Sequence, residues 1–201
     1  MWKQTQWLRW WLVWVMVGVL VVSLISFFVT LDTLPAKIVI ATGKPSGQYY
    51  AFGNNFREAL FNQAGRDVIV KETDGSIHNR ELLMADEVDL AIIQTGSVSL
   101  NGTAVVAPLH RDVVFVIARN DRGIESVEHL EGKNVILGPM KSGMRASAVH
   151  VLSHYGLLDR VKDQGDISFD QMDDVGNEHI DAAIVTTGLD NADLRKLLTN
   201  E

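Results

Sequence analysis

The chain has 201 residues, a net charge of −7 and no cysteine. Its length allows one or two small domains, and the lack of cysteine excludes a disulfide framework, a thiolate metal site and a cysteine nucleophile. Lys and Arg are scattered along the chain, which argues against a nucleic-acid partner because such a partner needs a clustered basic face.

The first feature along the chain is an uncharged apolar segment, Trp10–Leu31. A helix of that length spans a hydrocarbon core of about 30 Å. Lys3 and Arg9 precede it, which predicts a cytoplasmic N-terminus. We therefore predict that residues 1–35 comprise a cytoplasmic N-terminus, an anchor in the inner-membrane bilayer and a linker, with the rest of the chain in the periplasm. A cleaved signal peptide, which would leave the chain secreted, is the alternative.

A strand-turn-helix pattern follows the linker. The strand-like run Lys37–Ala41 leads into the Gly-rich turn Thr42–Tyr50, and apolar residues at helical spacing predict a helix over Gln48–Gln63. The next predicted elements are a strand at Val68–Lys71, a turn at Thr73–Ser76, a helix at Ile77–Ala85 and a strand at Leu90–Ile93.

The second half of the chain repeats this order. The run Asp112–Arg119 predicts an extended strand that crosses between two lobes. After it come a short capped helix at Ser126–Lys133, a strand at Asn134–Leu137, the Gly-rich turn Gly138–Arg145, a helix at Met144–Tyr155, a weak strand at Ile167–Phe169 and a final helix at Ala192–Leu198.

Local sequence similarity supports an internal repeat. The segment Glu87–Gly96 matches His179–Gly188, and each places an Asp before a short apolar strand that ends in Thr-Gly. The two Gly-rich turns are separated by 95 residues (Gly43 to Gly138), which is close to the 92 residues that separate these two segments. We therefore predict an α/β fold with two similar lobes, 36–118 and 119–201.

Both Gly-rich turns are candidate anion sites. A strand that breaks into Gly-rich backbone and enters a helix leaves unpaired N–H groups at the positive end of the helix dipole. Such a site favours a carboxylate or a phosphate. Neither turn has the Gly-Lys-Ser/Thr ending of a nucleotide P-loop. The sequence therefore predicts that the two turns hold a small anionic molecule.

The combination of motifs resembles one known family. It includes the turn Thr42–Tyr50, the Thr73-Asp74-Gly75-Ser76 turn, the Val88–Ala91 and Ile180–Ala183 strands and the loop Gly138–Gly143. Together they resemble the TAXI branch of solute-binding proteins that serve tripartite ATP-independent periplasmic (TRAP) transporters. The resemblance implies a type II periplasmic-binding-protein-like two-lobe fold, a small organic anion such as a carboxylate or an amino acid in the cleft, and the membrane permease subunits of a TRAP transporter as partners.

The resemblance also implies that the fold is incomplete at its C-terminus, because relatives continue past the second Asp-Ala-Ala strand to finish both lobes. A truncated gene, a fragment and a shortened relative stay open as explanations. A truncated relative that binds nothing is therefore one alternative function.

Position at strand ends and the resemblance together give the candidate ligand-binding residues. From the first lobe they are Thr42, Gly43, Ser46, Gly47, Tyr49, Thr73, Gly75, Ser76, Asn79, Gln94 and Thr95. From the second lobe they are Ser142, Gly143, Arg145, Thr186 and Thr187. We expect Ser142 and the N–H groups after it to receive a carboxylate and Arg145 to add a bidentate pair. Tyr49 would contact the ligand body, and Gln94 and Asn79 would fix its orientation.

Other chemistries have weaker support in the sequence. His150 and His154 have the spacing of a zinc pair but no third ligand nearby, so we predict no metal and no cofactor. No Ser/His/Asp arrangement or catalytic base is evident, and we predict that the chain is not an enzyme. A membrane-tethered ligand sensor that uses the same cleft is the other alternative to a transport function.

Overall fold

The computed structural model describes residues 2–30, 35, 37–172, 174 and 176–199, without the side chains of 2–6, 8 and 30. The chain divides into two compact units, 1–36 and 37–201. Most of the predicted linker at 32–35 lies outside the described residues.

The N-terminal unit is a single helix, α1, over Trp2–Thr30. Its stretch Arg9–Val29 has a mean hydropathy of 2.8, is nowhere buried, and is long and apolar enough by length and composition to cross a membrane. The predicted N-terminal apolar helix is therefore confirmed. Leu31, the last residue of the predicted span, lies outside the described part of the chain.

The first half of the globular unit is built on a parallel three-stranded sheet with strand order β2-β1-β3. Residues Ile38–Ala41 of β1 are largely buried because the strand lies between two neighbours. The elements are β1 (Lys37–Ala41), α2 (Gln48–Ala64), β2 (Asp67–Lys71), α3 (Ser76–Met84) and β3 (Leu90–Ala91).

The second half is built on a four-stranded sheet with strand order β4-β7-β5-β6. Strand β4 runs antiparallel to β7, and the other pairings are parallel. The elements are β4 (Asp112–Ala118), β5 (Asn134–Ile136), α4 (Gly143–His154), β6 (Lys162–Asp163), β7 (Ala182–Gly188) and α5 (Ala192–Thr199). Short 3₁₀ turns lie at Asn120–Arg122, Val127–Leu130 and Phe169–Gln171.

The internal repeat is visible in the sheets. In each half a central strand is flanked by the two parallel strands that follow it, which gives β2-β1-β3 and β6-β5-β7. The two repeated aspartates each accept a hydrogen bond from a backbone N–H of the central strand. The carboxylate of Asp89 accepts a hydrogen bond from Val39 N at 2.8 Å, and that of Asp181 accepts one from Asn134 N at 2.8 Å. Each aspartate thus fastens the start of its central strand.

Each half has its own apolar core. In the first, Ile38, Ile40 and Val68 pack against the inner face of α2. In the second, Leu130, Val135 and Leu152 are fully buried between α4 and the sheet. The mixed α/β class predicted from the sequence is therefore what the chain forms.

One local prediction differs from the structure. The predicted strand at Ile167–Phe169 is wrong, since Phe169 begins a 3₁₀ turn and the edge strand is β6 at Lys162–Asp163. Strand β4, predicted to cross between the lobes, pairs over its whole length with β7 of the second sheet.

Candidate functional site

A cleft of about 150 Å³ lies where the strand ends and helix starts of the two halves meet. This volume is below the roughly 300–1,000 Å³ usual for drug-sized ligands, so the cleft suits a small solute. It is lined by Gly43, Lys44, Gly47, Gln48, Tyr49, Asp74, Gly75, Ser76, Gln94, Asp112, Ser142, Gly143, Met144, Phe169, Thr186, Thr187 and Asn191.

The start of α2 contributes unpaired backbone donors to this cleft. Its N-cap residue is Gly47, which offers no side chain to accept a hydrogen bond from the first turn. The first N–H groups of a helix have no intrahelical acceptor, so those of Gln48 and Tyr49 depend on another partner. The positive end of a 17-residue helix dipole lies behind them.

The start of α4 is the matching element from the second half. Ser142 is its N-cap, and its hydroxyl accepts a hydrogen bond from Arg145 N at 3.1 Å and donates one to Pro139 O at 2.7 Å. Because this cap satisfies the N–H of the third helical residue, those of Gly143 and Met144 remain without an intrahelical acceptor. Both residues line the cleft.

The two halves touch directly beside the cleft. A Cβ atom on Gly75 would lie 3.0 Å from Ser142 Cα, and the φ of Gly75 is +122°. A Cβ atom on Gly143 would lie 2.8 Å from Ser76 Oγ and 2.9 Å from Gln94 Oε1. These glycines are needed because a side chain at either position would separate the starts of α3 and α4.

Gln94 connects the two halves across this contact. Its backbone N donates to Ser76 Oγ at 2.9 Å, and its side-chain Nε2 donates to Gly143 O at 3.1 Å and to Ser147 Oγ at 2.5 Å. The side chain is buried. Gln94 therefore holds the starts of α3 and α4 together, in addition to lining the cleft.

The carboxylate of Asp112, with Tyr49 and His110 beside it, lies on another side of the cleft. The Tyr49 hydroxyl donates to Asp112 Oδ2 at 2.9 Å, and His110 Nε2 lies 2.9 Å from Asp112 Oδ1. Burial, the charge of Asp112 and this hydrogen bond all raise the pKa of Tyr49 above its ordinary value. Tyr49 therefore stays a neutral donor to the carboxylate.

Ten of the predicted site residues line this cleft, and they come from both halves. They are Gly43, Gly47, Tyr49, Gly75, Ser76, Gln94, Ser142, Gly143, Thr186 and Thr187. Their joint position follows from parallel topology, because the carboxyl ends of the strands meet at the same edge of each sheet.

Arg145 lies outside the lining. Its guanidinium forms a bidentate pair with Asp163, with NH1–Oδ2 at 2.6 Å, and donates to the carbonyl oxygens of Gly138 and Gly165. These contacts fasten the turn before α4 to the chain after β6. The sequence predicted that Arg145 would pair with the carboxylate of the ligand, whereas the carboxylate that it binds in the structure is that of Asp163.

Thr42, Thr73 and Asn79 form a buried network behind the cleft. Asn79 Nδ2 donates to Thr42 O at 2.6 Å and to Ile92 O at 2.7 Å, and its Oδ1 accepts from Thr73 Oγ1 at 2.5 Å. The network joins the ends of β1 and β3 to the turn before α3. The two remaining predicted residues, Ser46 and Thr95, are exposed and do not line the cleft.

Several lining residues were not predicted from the sequence, among them Gln48, Asp112 and Asn191. Asp112 carried one usable signal, a charged residue at the start of an otherwise apolar strand. Asn191 is the buried first residue before α5, and its Oδ1 accepts from Leu194 N at 3.0 Å while its Nδ2 donates to Thr187 Oγ1 at 2.9 Å. Gln48 Oε1 accepts from Gly188 N at 3.2 Å across the two halves.

Comparison with known proteins gives this architecture a class. Residues 40–201 match the model of the NMT1-like family. Because that match covers most of the chain, the chain belongs to the NMT1-like family.

Solved structures with the same fold are remote in sequence. The regulatory domain of CcmR from Synechocystis PCC6803, in complex with 2-PG, aligns at 16% identity and a TM-score of 0.54, covering 82% of this chain and 75% of that one. A Listeria monocytogenes protein described as an L-cystine ABC transporter aligns at 17% identity and 0.55, covering 75% and 69%. The periplasmic aliphatic sulphonate binding protein SsuA from Escherichia coli aligns at 18% and 0.50, covering 84% and 58%. At these identities the likenesses establish the fold, which is periplasmic-binding-protein-like.

Proposed function

We propose that this chain is a membrane-anchored, extracytoplasmic solute-binding protein that captures a small organic anion in the cleft between its two halves. The observation that carries the proposal is the convergence of the starts of α2, α3 and α4 on one cleft. Each helix start presents positive dipole charge, and α2 and α4 also present N–H groups without an intrahelical acceptor. Such a combination binds a carboxylate or a similar anion.

The ligand-binding roles follow from the same geometry. The N–H groups at Gln48 and Gly143 would receive the anionic group, and Lys44, also in the lining, would add positive charge. Thr187 and Ser76 would contact the ligand through their hydroxyls. Gln94 would act mainly through the contact between the halves, because its amide is already bonded there.

The lining offers no evident catalytic machinery in the part of the chain that the structure describes. Its titratable members are Lys44, Tyr49, Asp74 and Asp112, and Tyr49 is held as a neutral donor to Asp112. We therefore propose capture and release of the ligand, without a chemical step. Family membership and the fold of the neighbours support this proposal.

The partner in this proposal is a membrane permease of the TRAP type, as the sequence resemblance implies. The L. monocytogenes neighbour is instead described as part of an ABC transporter. Uptake of a radiolabelled ligand by vesicles that contain the chain and its permease separates the two classes. TRAP-type uptake would continue without ATP, and ABC-type uptake would stop.

Binding is tested on the full chain in detergent by calorimetry against a panel of carboxylic and amino acids. All five tryptophans lie between residues 2 and 14, so tryptophan fluorescence would follow α1 instead of the cleft. We expect at least one compound to bind and raise the melting temperature with concentration. The Lys44→Ala variant should bind it more weakly, whereas the control Lys162→Ala, on the exposed edge strand, should bind it normally. Failure of every compound to bind would contradict the proposal.

A tethered sensor is the second candidate, because one structural neighbour is a regulatory domain. It would use the same cleft and the same α1 anchor but a signalling partner. Crosslinking of the full chain in its native membrane distinguishes them. Crosslinks to a multi-span permease favour transport, and crosslinks to a kinase or cyclase favour sensing.

A further inference from the structure

Two buried polar atoms in the cleft have no hydrogen bond among the described residues, and both belong to the second half. They are Asp112 Oδ1 and Thr186 Oγ1. Leaving a buried polar group without a partner is unfavourable, and more so for a charged group. Each atom therefore has unused bonding capacity where a ligand would sit.

The two side chains lie on the same face of one strand pair. Asp112 is opposite Gly188 and Val114 is opposite Thr186 in the β4–β7 register. Asp112 and Thr186 are therefore diagonal neighbours, with Cα atoms roughly 7–8 Å apart. One small group can bond both side chains at that separation.

Gly188, which lies opposite Asp112, has no side chain for a visible reason. A Cβ atom on Gly188 would lie 2.7 Å from Gln48 Oε1 and 3.3 Å from His110 Cδ2. Because Gly188 has no side chain, Gln48 and His110 can approach the strand pair closely. Their approach places His110 beside Asp112 and leaves the Asp112–Thr186 face of the sheet uncovered by residue 188.

One carboxylate oxygen of Asp112 has a hydrogen-bond partner among the residues that the structure describes, and the other has none there. The Tyr49 hydroxyl occupies Oδ2 at 2.9 Å. His110 Nε2 lies 2.9 Å from Oδ1 as an ion-pair neighbour but forms no hydrogen bond with it. Oδ1 is therefore the carboxylate oxygen left to accept a hydrogen bond, and an ionised carboxylate oxygen accepts but cannot donate.

We propose that Asp112 and Thr186 form a subsite for an ammonium group, so that the solute is a small amino acid instead of a simple carboxylic acid. This inference rests on the proposed function. The ammonium group would donate to Asp112 Oδ1 and Thr186 Oγ1, and the carboxylate would lie at the starts of α2 and α4. The cleft then matches both charges of a zwitterion, with donors on one side and a carboxylate on the other.

The experiment compares two sets of three matched compounds on the full chain in detergent, by titration calorimetry. The three-carbon set is L-alanine, L-lactate and propionate, and the five-carbon set is L-glutamate, L-2-hydroxyglutarate and glutarate. Within the set that fits, we expect the amino acid to bind roughly tenfold to a hundredfold more tightly than the hydroxy acid or the unsubstituted acid. The hydroxy acids serve as controls, because their hydroxyl group can donate a hydrogen bond but carries no positive charge. A site that accepts any hydrogen-bond donor would bind them as tightly as the amino acid.

Two variants locate the effect. Asp112→Asn keeps the shape but removes the charge, and should weaken binding of the amino acid at least tenfold. Binding of the unsubstituted acid should not weaken, because the substitution removes a negative charge near its carboxylate. Thr186→Val keeps the side-chain volume and should weaken binding of the amino acid by a smaller factor than Asp112→Asn does. Asp74→Asn is the matched control, because Asp74 lines the same cleft but is paired with His78 at 3.1 Å. Unchanged melting profiles by circular dichroism establish that each variant folds.

The outcomes separate the two proposals. Equal binding of amino acids and simple acids, or an Asp112→Asn variant that treats them as the wild type does, overturns the ammonium subsite and leaves anion capture standing. Equal losses of affinity for the amino acid in Asp112→Asn and Asp74→Asn also overturn the ammonium subsite. The effect would then come from the net charge of the cleft and not from a contact with Asp112. Binding of no compound in either set or in the wider panel overturns both proposals.

Discussion

The two halves of the globular unit have the same strand order but differ in how fully they are secured. In the second half, Asp181 is buried, and besides its bond to Asn134 N it lies 3.4 Å from Arg122 Nε. In the first half, the equivalent Asp89 is exposed and bonds Val39 N. The second half also has the antiparallel strand β4 and a side-chain cap on its helix. The same repeat thus gives a firmly built half and a more lightly held one.

This difference suggests that the two halves contribute different kinds of groups to the cleft. The second half holds Asp112 and Thr186 on two strands that are paired along their whole length, so the backbone that carries its polar groups is fixed in position. The first half contributes an uncapped helix start and the exposed Lys44. Matched substitutions at equivalent positions test whether the halves differ in stability as their contacts suggest.

The largest contrast is expected in the cores. Leu152 on α4 is fully buried, whereas Leu60, which packs from α2 onto the core of the first half, is partly buried. Leu152→Ala should lower the free energy of unfolding by about 2–5 kcal/mol, and Leu60→Ala by clearly less, because the loss scales with the cavity left behind. Urea denaturation followed by circular dichroism measures both. Equal losses would mean that the two halves are equally well packed.

The repeated aspartates should give the next largest contrast. Asp181→Ala leaves the N–H of Asn134 and the Arg122 guanidinium without their carboxylate, which should cost about 2–4 kcal/mol. Asp89→Ala exposes Val39 N to water, which can replace the lost acceptor, and should cost about 1 kcal/mol. The same denaturation curves report both variants. A larger loss for Asp89→Ala would reverse the ranking of the two halves.

The serines of the two Gly-rich turns should differ more modestly. Ser142 caps α4, so Ser142→Ala should cost about 0.5–2 kcal/mol. Ser46 is exposed, and Gly47, not Ser46, is the N-cap of α2, so Ser46→Ala should change stability by less than about 0.5 kcal/mol. Thermal melting of the pair checks this difference. A clear loss in Ser46→Ala would indicate a cap that the structure does not contain.

The smallest effect is expected from an exposed ion pair between the halves. Lys141 Nζ donates to Glu81 Oε2 at 2.7 Å, which lowers the pKa of Glu81 and raises that of Lys141. A lowered carboxyl pKa stabilises the fold above the unfolded value of 4.5 and loses that effect as the pH falls through the folded value. A raised lysine pKa stabilises below 10.5 and loses its effect as the pH rises through the folded value.

Glu81→Gln should therefore lower the melting temperature slightly near neutral pH, and the difference from wild type should vanish in acid below the folded pKa of Glu81. Melting curves across that pH range at low salt measure the difference. A gap that persists in strong acid would show that the side chain acts through something other than its charge.

Much of the fold could be predicted from local pattern. Apolar spacing located α2 and α4 within about a residue at each end, and the repeated Asp-led strands predicted the two similar sheets. Strand β6 was missed because Lys162 and Asp163 are exposed on a sheet edge, where pairing comes from backbone atoms and leaves no apolar signal. Strands of that kind are recognisable only once their neighbour is known.

The site was predictable to a smaller extent. Glycines and serines at strand ends could be placed in the cleft because topology alone brings strand ends together. Arg145 was expected to face the ligand, but its partner Asp163 lies 18 residues away, and sequence gives no sign of such a pairing. Asp112 reached the cleft through antiparallel pairing with β7, which its neighbours in the chain do not reveal.

The missing side chain at Gly143 has a consequence for how the molecule could be controlled. A single methyl group there would lie less than 3 Å from Ser76 Oγ, Gln94 Cβ and Gln94 Oε1, so both side chains would have to move. The contact between the halves therefore depends on the absence of a side chain at residue 143. We expect Gly143→Ala to push the starts of α3 and α4 apart. Any affinity lost in that variant would measure how much of the binding free energy depends on this contact.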